Sequence, residues 1–528
     1  MIVVVVAIIL LCHLLLYRHR SFHYLRYFQQ EEYNSGRFLS WLWNNRVFDI
    51  KATAIALIAL IVVGFVPFVG SIVAAVALLF PIILEGDPRI TGKITLKMTM
   101  RAKRIYLCAF ILYATLLCIA AWYVRLHMLW LIQILFFQSI PLLLVIANGV
   151  MMPLERIRQR RYVSEAREIV RDVNPVIIGI TGSYGKTSTK NILGEILQIA
   201  VGTTFWPPKG VNTLMGITRE IRENLKRGID YAVVEMGAYR RGSISRLCGI
   251  TPPKAGIITA VGLCHLERFG SEEDIFKAKS ELAEAIPDNG ILVCNGDDPA
   301  VRRIAEENHK LVTLLYGFDD NDLDCWVSSM ALEGDKGTSF TLHWNDDVYD
   351  GYVPMFGKTM LYNVMAAFSM ACAFGADPEY VLAVLTNIEP VGNRLQVERN
   401  GDIIYIKDAY NSNPIGFCAA LDVLEGLLAK RRIIITPGMI ELGERRYEEN
   451  VIVGEVAGAI CDLAIVVGDV NSDALRCGLE RGGLDDKDIV YCNSRDEGFA
   501  YLSSVVKDGD AVLIENDLTD LYEQRVRL

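Results

Sequence analysis

The apolar run Pro175-Val-Ile-Ile-Gly-Ile180 opens directly into Thr181-Gly-Ser-Tyr-Gly-Lys-Thr-Ser-Thr189. A short buried strand, a glycine-rich turn and a Lys-Thr pair are followed by a helix-patterned stretch over 190–200. Together they form the phosphate cradle of an α/β sheet. Glycines let backbone N–H groups turn toward an anion, and the helix N-terminus adds a favourable dipole. Gly182, Ser183, Gly185 and Ser188 line this turn. Lys186 is placed to meet the β- and γ-phosphates of ATP, and Thr187 to hold Mg²⁺. The spacing is Gly-x-x-Gly-Lys, one step shorter than the common loop, with Ile180 where that loop has glycine.

The chain is electrically and hydrophobically lopsided. Residues 1–150 carry thirteen Lys/Arg and five acids, whereas the remainder carries 40 basic and 57 acidic residues. A nucleic-acid binder would place its positive charge on the soluble part, so that class is excluded. Apolar stretches at 1–17, 53–84, 105–124 and 128–150 are each long enough to consider as membrane spans. The first lacks a basic start and a small-residue cleavage site, so it reads as an uncleaved anchor. The 53–84 stretch is too long for one straight span, and Pro67 and Gly70 interrupt it, so two short helices are expected. About five spans then place the basic loops 17–52 and 85–104 and everything after residue 150 in the cytoplasm. No charged residue falls within the apolar stretches, which argues for an anchor rather than a transport path. Residues 151–174 read as a basic juxtamembrane helix near anionic headgroups. The twelve cysteines contain no CxxC pair, which fits a reducing compartment rather than a disulfide scaffold.

Further along, Tyr231-Ala-Val-Val-Glu235 is a strand that ends in an acid, where an α/β fold places a metal ligand. Gly210-Val-Asn-Thr-Leu-Met-Gly216, Cys264-His-Leu-Glu-Arg-Phe-Gly-Ser271, Lys277-Ala-Lys-Ser-Glu-Leu282 and Asp408-Ala-Tyr-Asn-Ser-Asn-Pro414 follow. The segment 311–355 reads as β-rich and irregular, an insert or sheet edge, with strands at 312–316, 339–343 and 348–353.

With these motifs, TGSYGKTSTKN above all, the chain resembles the Mur ligase family, ATP-dependent carboxylate–amine ligases of peptidoglycan synthesis. The likeness covers most of 175–460 and is nearest to the MurF branch, which adds D-alanyl-D-alanine. The resemblance implies a P-loop central domain over 175–388 and a Rossmann-like C-terminal domain over 389–528, behind a helical membrane domain over 1–150 and a linker over 151–174. It implies Mg²⁺ held by Thr187, Glu235, His265 and a Lys279 carbamylated by CO₂. Catalysis falls to Lys186, His265 and Lys279. Asn363 would contact adenine, Arg394 the phosphates or ribose, and Asp408 the ribose. Asn212, Thr213, Asn411 and Asn413 would face substrate.

Four places depart from the family pattern. Thr359 and Met360 stand where it has His and Asn. Pro437-Gly438 replaces Gly-Asp, and Asn450 replaces a downstream His. Glu515-Asn516-Asp517 stands where it has Lys-Gly-Ser-Arg, so the donor-amine pocket is expected to differ. The UDP-sugar-binding domain that begins MurF enzymes has no counterpart between the apolar stretches and Pro175. The expected partners are therefore the membrane, a lipid-linked peptide or polymer acceptor with a free carboxylate, an amino acid or dipeptide amine, and other envelope-synthesis proteins. A poly-γ-glutamate-type ligase and a silent nucleotide-binding scaffold are the alternatives.

Overall fold

The structure, a computed structural model, describes residues 2–90, 95–123, 126–263, 266–318, 322–390, 392, 394–408 and 412–517. Residues 1–159 and 160–518 belong to two compact units.

The first unit is helical, with helices Ile2–Gln30, Ser35–Asn44, Ile50–Phe65, Pro67–Ala77, Phe80–Glu85 and Met100–Tyr123, and the start of Leu126–Val173. The 53–84 stretch breaks at Val66, which is extended (φ −135°) because Pro67 follows it and occupies the first position of the next helix. Tyr17, Tyr24, Phe28, Phe38 and Tyr113 fill one core of this unit, while Ile58, Ile61, Phe65, Val69 and Trp122 point outward. Among the described residues three helices are long and apolar enough to cross a membrane, within Phe68–Glu85, Met100–Ala120 and Ile132–Val173; Ile50–Phe65 is a shorter apolar helix. The basic stretch 151–174 is not a separate element. It continues the helix Leu126–Val173, through Pro141 and Pro153.

Arg20 is fully buried and holds this unit's polar centre. Its Nε donates to Asp49 at 2.6 Å, and its other nitrogens reach Glu85. Asp49 also caps helix Ile50–Phe65 by accepting from the Ala52 amide at 3.0 Å.

The second unit contains two sheets. The first has nine strands: β1 (Val176–Thr181), β2 (Thr204–Phe205), β3 (Tyr231–Glu235), β4 (Ala255–Ile258), β5 (Ile291–Asn295), β6 (Val312–Phe318), β7 (Cys325–Leu332), β8 (Thr338–Trp344) and β9 (Asp347–Val353). Their order is β2-β3-β1-β4-β5-β6-β7-β8-β9, parallel as far as β7 and antiparallel beyond it. The segment 311–355 thus forms the sheet edge. β7 was not expected from the pattern, because a bulge between Val327 and Ser329 breaks its alternation.

Both faces of the parallel part are covered, which explains the unbroken apolar runs. Ile178, Ile180, Val233 and Ile257 pack with helices Lys186–Ala200 and Lys358–Ala373. Ile177, Val234, Ile258 and Leu292 pack with helices Leu214–Asn224 and Glu272–Ala285 on the opposite side. β1 lies between β3 and β4, so the chain leaves it in one direction for β2 and β3 and in the other for β4. The crevice at the carboxyl end of such a switch point is where open α/β sheets bind ligands.

The second sheet comprises β10 (Gln396–Asn400), β11 (Ile403–Asp408), β12 (Arg431–Thr436), β13 (Leu463–Val467), β14 (Ile489–Cys492) and β15 (Asp510–Glu515). The order is β10-β11-β15-β12-β13-β14, with only β10–β11 antiparallel.

Candidate active site

The turn after β1 requires its glycines. Gly182 has φ +151°, and a Cβ there would fall 2.0 Å from Thr259 Oγ1; Gly185 has φ +81°, and a Cβ there would fall 2.3 Å from Asn363 Oδ1. The loop is braced from β4 and the residues that follow. Thr259 donates its hydroxyl to the Tyr184 carbonyl at 2.5 Å, and Ser183 exchanges hydrogen bonds with the backbone of Gly262 at 2.9 Å. Helix Lys186–Ala200 starts at Lys186, four residues earlier than the sequence pattern suggests, so the whole Lys-Thr-Ser-Thr run forms its first turn. Lys186 Nζ donates to the Gly182 and Ser183 carbonyls at 2.6 and 3.1 Å, folded over the loop that would carry the phosphates.

Behind the loop lies a polar chain in which Thr187 and Glu235 are buried and Asn212 is half-buried. Thr187 Oγ1 donates to Glu235 Oε2 at 2.7 Å, and Asn212 Nδ2 donates to Glu235 Oε1 at 2.9 Å. Glu235 is 1% exposed. Lys190, one turn after Lys186, is fully buried; its Nζ donates to the Lys209 carbonyl and lies 4.0 Å from Glu235 Oε2. Burial pushes the Lys190 amine down to about 8. The Glu235 carboxylate opposes that shift, and the Arg394 cation adds to it. No motif marks Lys190 as a site residue in the sequence. Its i, i+4 spacing from Lys186 was the available signal.

The donor set fits a hard divalent cation. A hydroxyl and a carboxylate converge at the end of β3, beside a loop where only glycine fits. Lys279 lies on helix Glu272–Ala285 and is buried at 3% exposure, whereas Lys277 on the same helix is exposed and ion-paired with Glu273 at 3.3 Å. His265 and Asn411 lie outside the described residues.

Other expected site residues have definite structural partners. Thr213 caps helix Leu214–Asn224 by accepting from the Gly216 amide at 3.2 Å, and Asn413 caps helix Pro414–Gly426 from the Gly416 amide at 3.0 Å. Asn363 accepts from Thr189 Oγ1 at 3.1 Å and donates to the Thr359 carbonyl at 3.1 Å, so its amide is directed at the P-loop helix. Met360 is in the apolar core, which accounts for an apolar residue at that place. Asp298 of the Asp-Asp-Pro turn caps helix Pro299–Glu307 through the Ala300 and Val301 amides.

In the second sheet, Asp408 and Glu515 end the adjacent parallel strands β11 and β15 in register. Asp408 Oδ1 accepts from the Leu395 amide at 3.3 Å. Glu515 is fully buried; one oxygen accepts from the Ser412 hydroxyl and the other has no hydrogen-bond partner. Burial pushes Asp408 up to about 6, with the Leu395 amide and the Arg394 cation opposing; Glu515 is raised well above its usual range by burial and by Asp408. Arg394 thus acts on both Lys190 and Asp408. Gly438 has φ +73°, and a Cβ there would lie 2.5 Å from Asn450 Oδ1. Asn450 is fully buried and bonds both the amide and the carbonyl of Met439, at 2.8 and 3.0 Å. Two ion pairs link the part holding the first sheet to the part holding the second: Arg268–Glu441 at 2.8 Å and Arg445–Glu272 at 3.0 Å.

Two family models match this chain: the Mur ligase middle domain over residues 180–371, and the Mur ligase, glutamate ligase domain over residues 393–515. The UDP-N-acetylmuramoyl-tripeptide–D-alanyl-D-alanine ligase of Mycobacterium tuberculosis is 33% identical over 359 residues, covering 64% of this chain and 70% of that one. The Bacillus subtilis enzyme of the same name is 28% identical over 284 residues, covering 53% and 59%. Among solved structures, MurF ligase from Thermotoga maritima in complex with ADP superposes with a TM-score of 0.60 at 26% identity, covering 68% of this chain and 80% of that one. MurF from Acinetobacter baumannii gives 0.61 at 23% identity, covering 68% and 77%, a likeness of fold.

Proposed function

This chain belongs to the Mur ligase family of ATP-dependent amide-bond ligases, and from that premise we propose that it is a membrane-anchored, MurF-like carboxylate–amine ligase acting on a lipid-linked acceptor. The observation that carries the ligase reading is the hydrogen-bonded Asn212–Glu235–Thr187 chain beside the glycine loop. The observation that carries the membrane reading is the set of apolar helices in residues 1–159, the segment preceding the P-loop strand.

In this reading the acceptor carboxylate attacks the γ-phosphate of ATP, giving an acyl phosphate and ADP. The amine then attacks the acyl carbon, and phosphate leaves as the amide forms. Lys186 leaves its loop carbonyls to meet the phosphates. Thr187 and Glu235, with His265 and a carbamylated Lys279, would hold Mg²⁺, which supplies charge neutralisation at the transferring phosphoryl group. Gly182, Ser183, Gly185 and Ser188 shape the cradle, and Asn363 supports it from the helix Lys358–Ala373. Arg394 and Asp408 would reach the nucleotide, while Asn212, Thr213, Asn411 and Asn413 border the substrate. Closure of the C-terminal domain would exclude water that otherwise hydrolyses the acyl phosphate.

A lipid-linked acceptor suits an enzyme anchored in the same bilayer, because confinement raises effective concentration without any new contact. The catalytic domains then face the cytoplasm, where ATP is present. The test is ligation by the full-length protein in lipid, with soluble UDP-linked and lipid-linked peptide acceptors at equal concentration. Preference for the lipid-linked acceptor supports the reading. Equal or better use of the UDP-linked peptide leaves an ordinary MurF activity on an anchor, and ATP turnover independent of any amine removes the ligase assignment.

A further inference from the structure

We propose that the helical unit carries a transition-metal site formed by His19, His23 and Glu85, separate from the ligase centre. Among the described residues, one group of His, Cys, Asp or Glu side chains has ligand atoms close enough to share a metal ion, and it is this one, within 4.8 Å of one another.

His19 and His23 lie four residues apart on helix Ile2–Gln30, so they share one face of it. Glu85 ends the short helix Phe80–Glu85. His19 is 5% exposed, and its Nε2 lies 2.9 Å from the Gly86 carbonyl. Since a carbonyl only accepts, Nε2 carries the proton and Nδ1 keeps its lone pair. That Nδ1 has no hydrogen-bond partner and lies 4.0 Å from Glu85 Oε2. His23 Nε2 lies 3.8 Å from the same oxygen, and neither of its ring nitrogens has a partner.

These separations are too long for hydrogen bonds. An imidazole lone pair facing a carboxylate oxygen is also repulsive unless a positive charge lies between them. Two nitrogens and one oxygen at about 2.0–2.1 Å from a tetrahedral ion would be about 3.3 Å apart, so each histidine–Glu85 separation needs to shorten by about 0.5–0.7 Å and the widest separation in the group by at most about 1.5 Å. The Gly86 carbonyl already does what a metal-bound histidine needs from its other nitrogen: it fixes tautomer and ring orientation. Arg20 donates to that same Oε2 and Lys51 to Oε1, which fixes the carboxylate in place beside the two rings. Two imidazoles and one carboxylate favour Zn²⁺ or Co²⁺ over Mg²⁺. The bound ion would clip the first helix to the end of the fifth and leave a fourth position for water or an anion.

The test uses full-length protein in lipid nanodiscs, stripped with chelator and held in millimolar Mg²⁺ to occupy the ligase centre. Co²⁺ is titrated and its visible spectrum recorded, then Zn²⁺ is used to displace it. The expected result is one equivalent of tetrahedral Co²⁺ that is absent from His19→Ala/His23→Ala, with Zn²⁺ raising the unfolding temperature of the wild type but not of the variant. Should the double variant aggregate, His23→Gln serves instead. Loss of an outer partner alone usually costs about 10- to 100-fold in affinity, so loss of a direct ligand should weaken binding by at least about tenfold. Equal stoichiometry and spectrum in wild type and variants, or no Co²⁺ bound by the wild type, overturns the site.

Discussion

The hydroxyl of Thr187 donates to the carboxylate of Glu235 across 2.7 Å, both side chains being buried. This bond joins the first turn of the P-loop helix to the end of β3, so the two oxygens proposed to hold Mg²⁺ are already set against each other. Replacing Thr187 by Val keeps the shape and removes only the oxygen. We expect the fold to lose about 1 kcal/mol and turnover to fall by about a hundredfold or more. ADP release measured against Mg²⁺ concentration checks this; a near-normal rate would remove Thr187 from the metal site.

Lys190 should leave a signature in the pH dependence of stability. Its folded value of about 8 lies below its ordinary value of 10.5. A base depressed in this way contributes stability that is present above pH 10.5 and is lost as pH falls through about 8. Wild-type stability should therefore rise across that window, by on the order of 2–3 kcal/mol, and Lys190→Met should lack this rise. Chemical denaturation at several alkaline pH values compares the two slopes, and parallel slopes would contradict the assignment.

Asp408 titrates in the opposite sense. Its folded value of about 6 lies above the ordinary 3.8, so its contribution is present below 3.8 and is lost as pH rises through about 6. Above that range its ionised carboxylate lies beside the buried Glu515. Asp408→Asn should be more stable than the wild type at neutral pH, by on the order of 2 kcal/mol, and the gain should vanish toward pH 4. ATP affinity should fall at the same time. Urea unfolding and nucleotide titration on one protein preparation measure both effects.

Lys279 and Lys277 provide an internal comparison. Lys279 is buried and Lys277 is on the surface of the same helix. Lys279→Ala should lose activity by about a hundredfold or more, and formate or acetate should partly restore it by standing in for the carbamate oxygens. Lys277→Ala should stay within about twofold, as for an exposed position. Loss without rescue, together with no ¹³C-bicarbonate carbamate signal in the wild type, would reject the carbamylation.

The cradle itself was legible in the sequence because its chemistry is local. Gly182, Gly185, Lys186 and Thr187 are contiguous with the strand and helix that orient them. Glu235 was legible for a related reason, as a strand that ends in an acid delivers it to the carboxyl edge of the sheet. The contact of Lys190 with Glu235 was not, because it depends on β1 and β3 being neighbours, which follows from the crossover and not from either segment. Thr213 and Asn413 show a different limit. A side chain that caps a helix and one that faces a substrate are written with the same letters, and only the observed bonds to Gly216 and Gly416 reveal the caps. Strand β7 was hidden by its bulge, which shifts alternate residues to the wrong face.

Gly438 and Asn450, both expected from the sequence to differ from the family pattern, are in contact. A side chain at Gly438 would strike the amide that holds Met439, and the left-handed backbone there disfavours one in any case. An aspartate at position 438 alone would collide with Asn450, while a histidine at position 450 alone would release the buried Met439 backbone. The two positions are therefore coupled in space: what stands at one limits what fits at the other, so the shape of this loop is set by the pair and not by either residue alone.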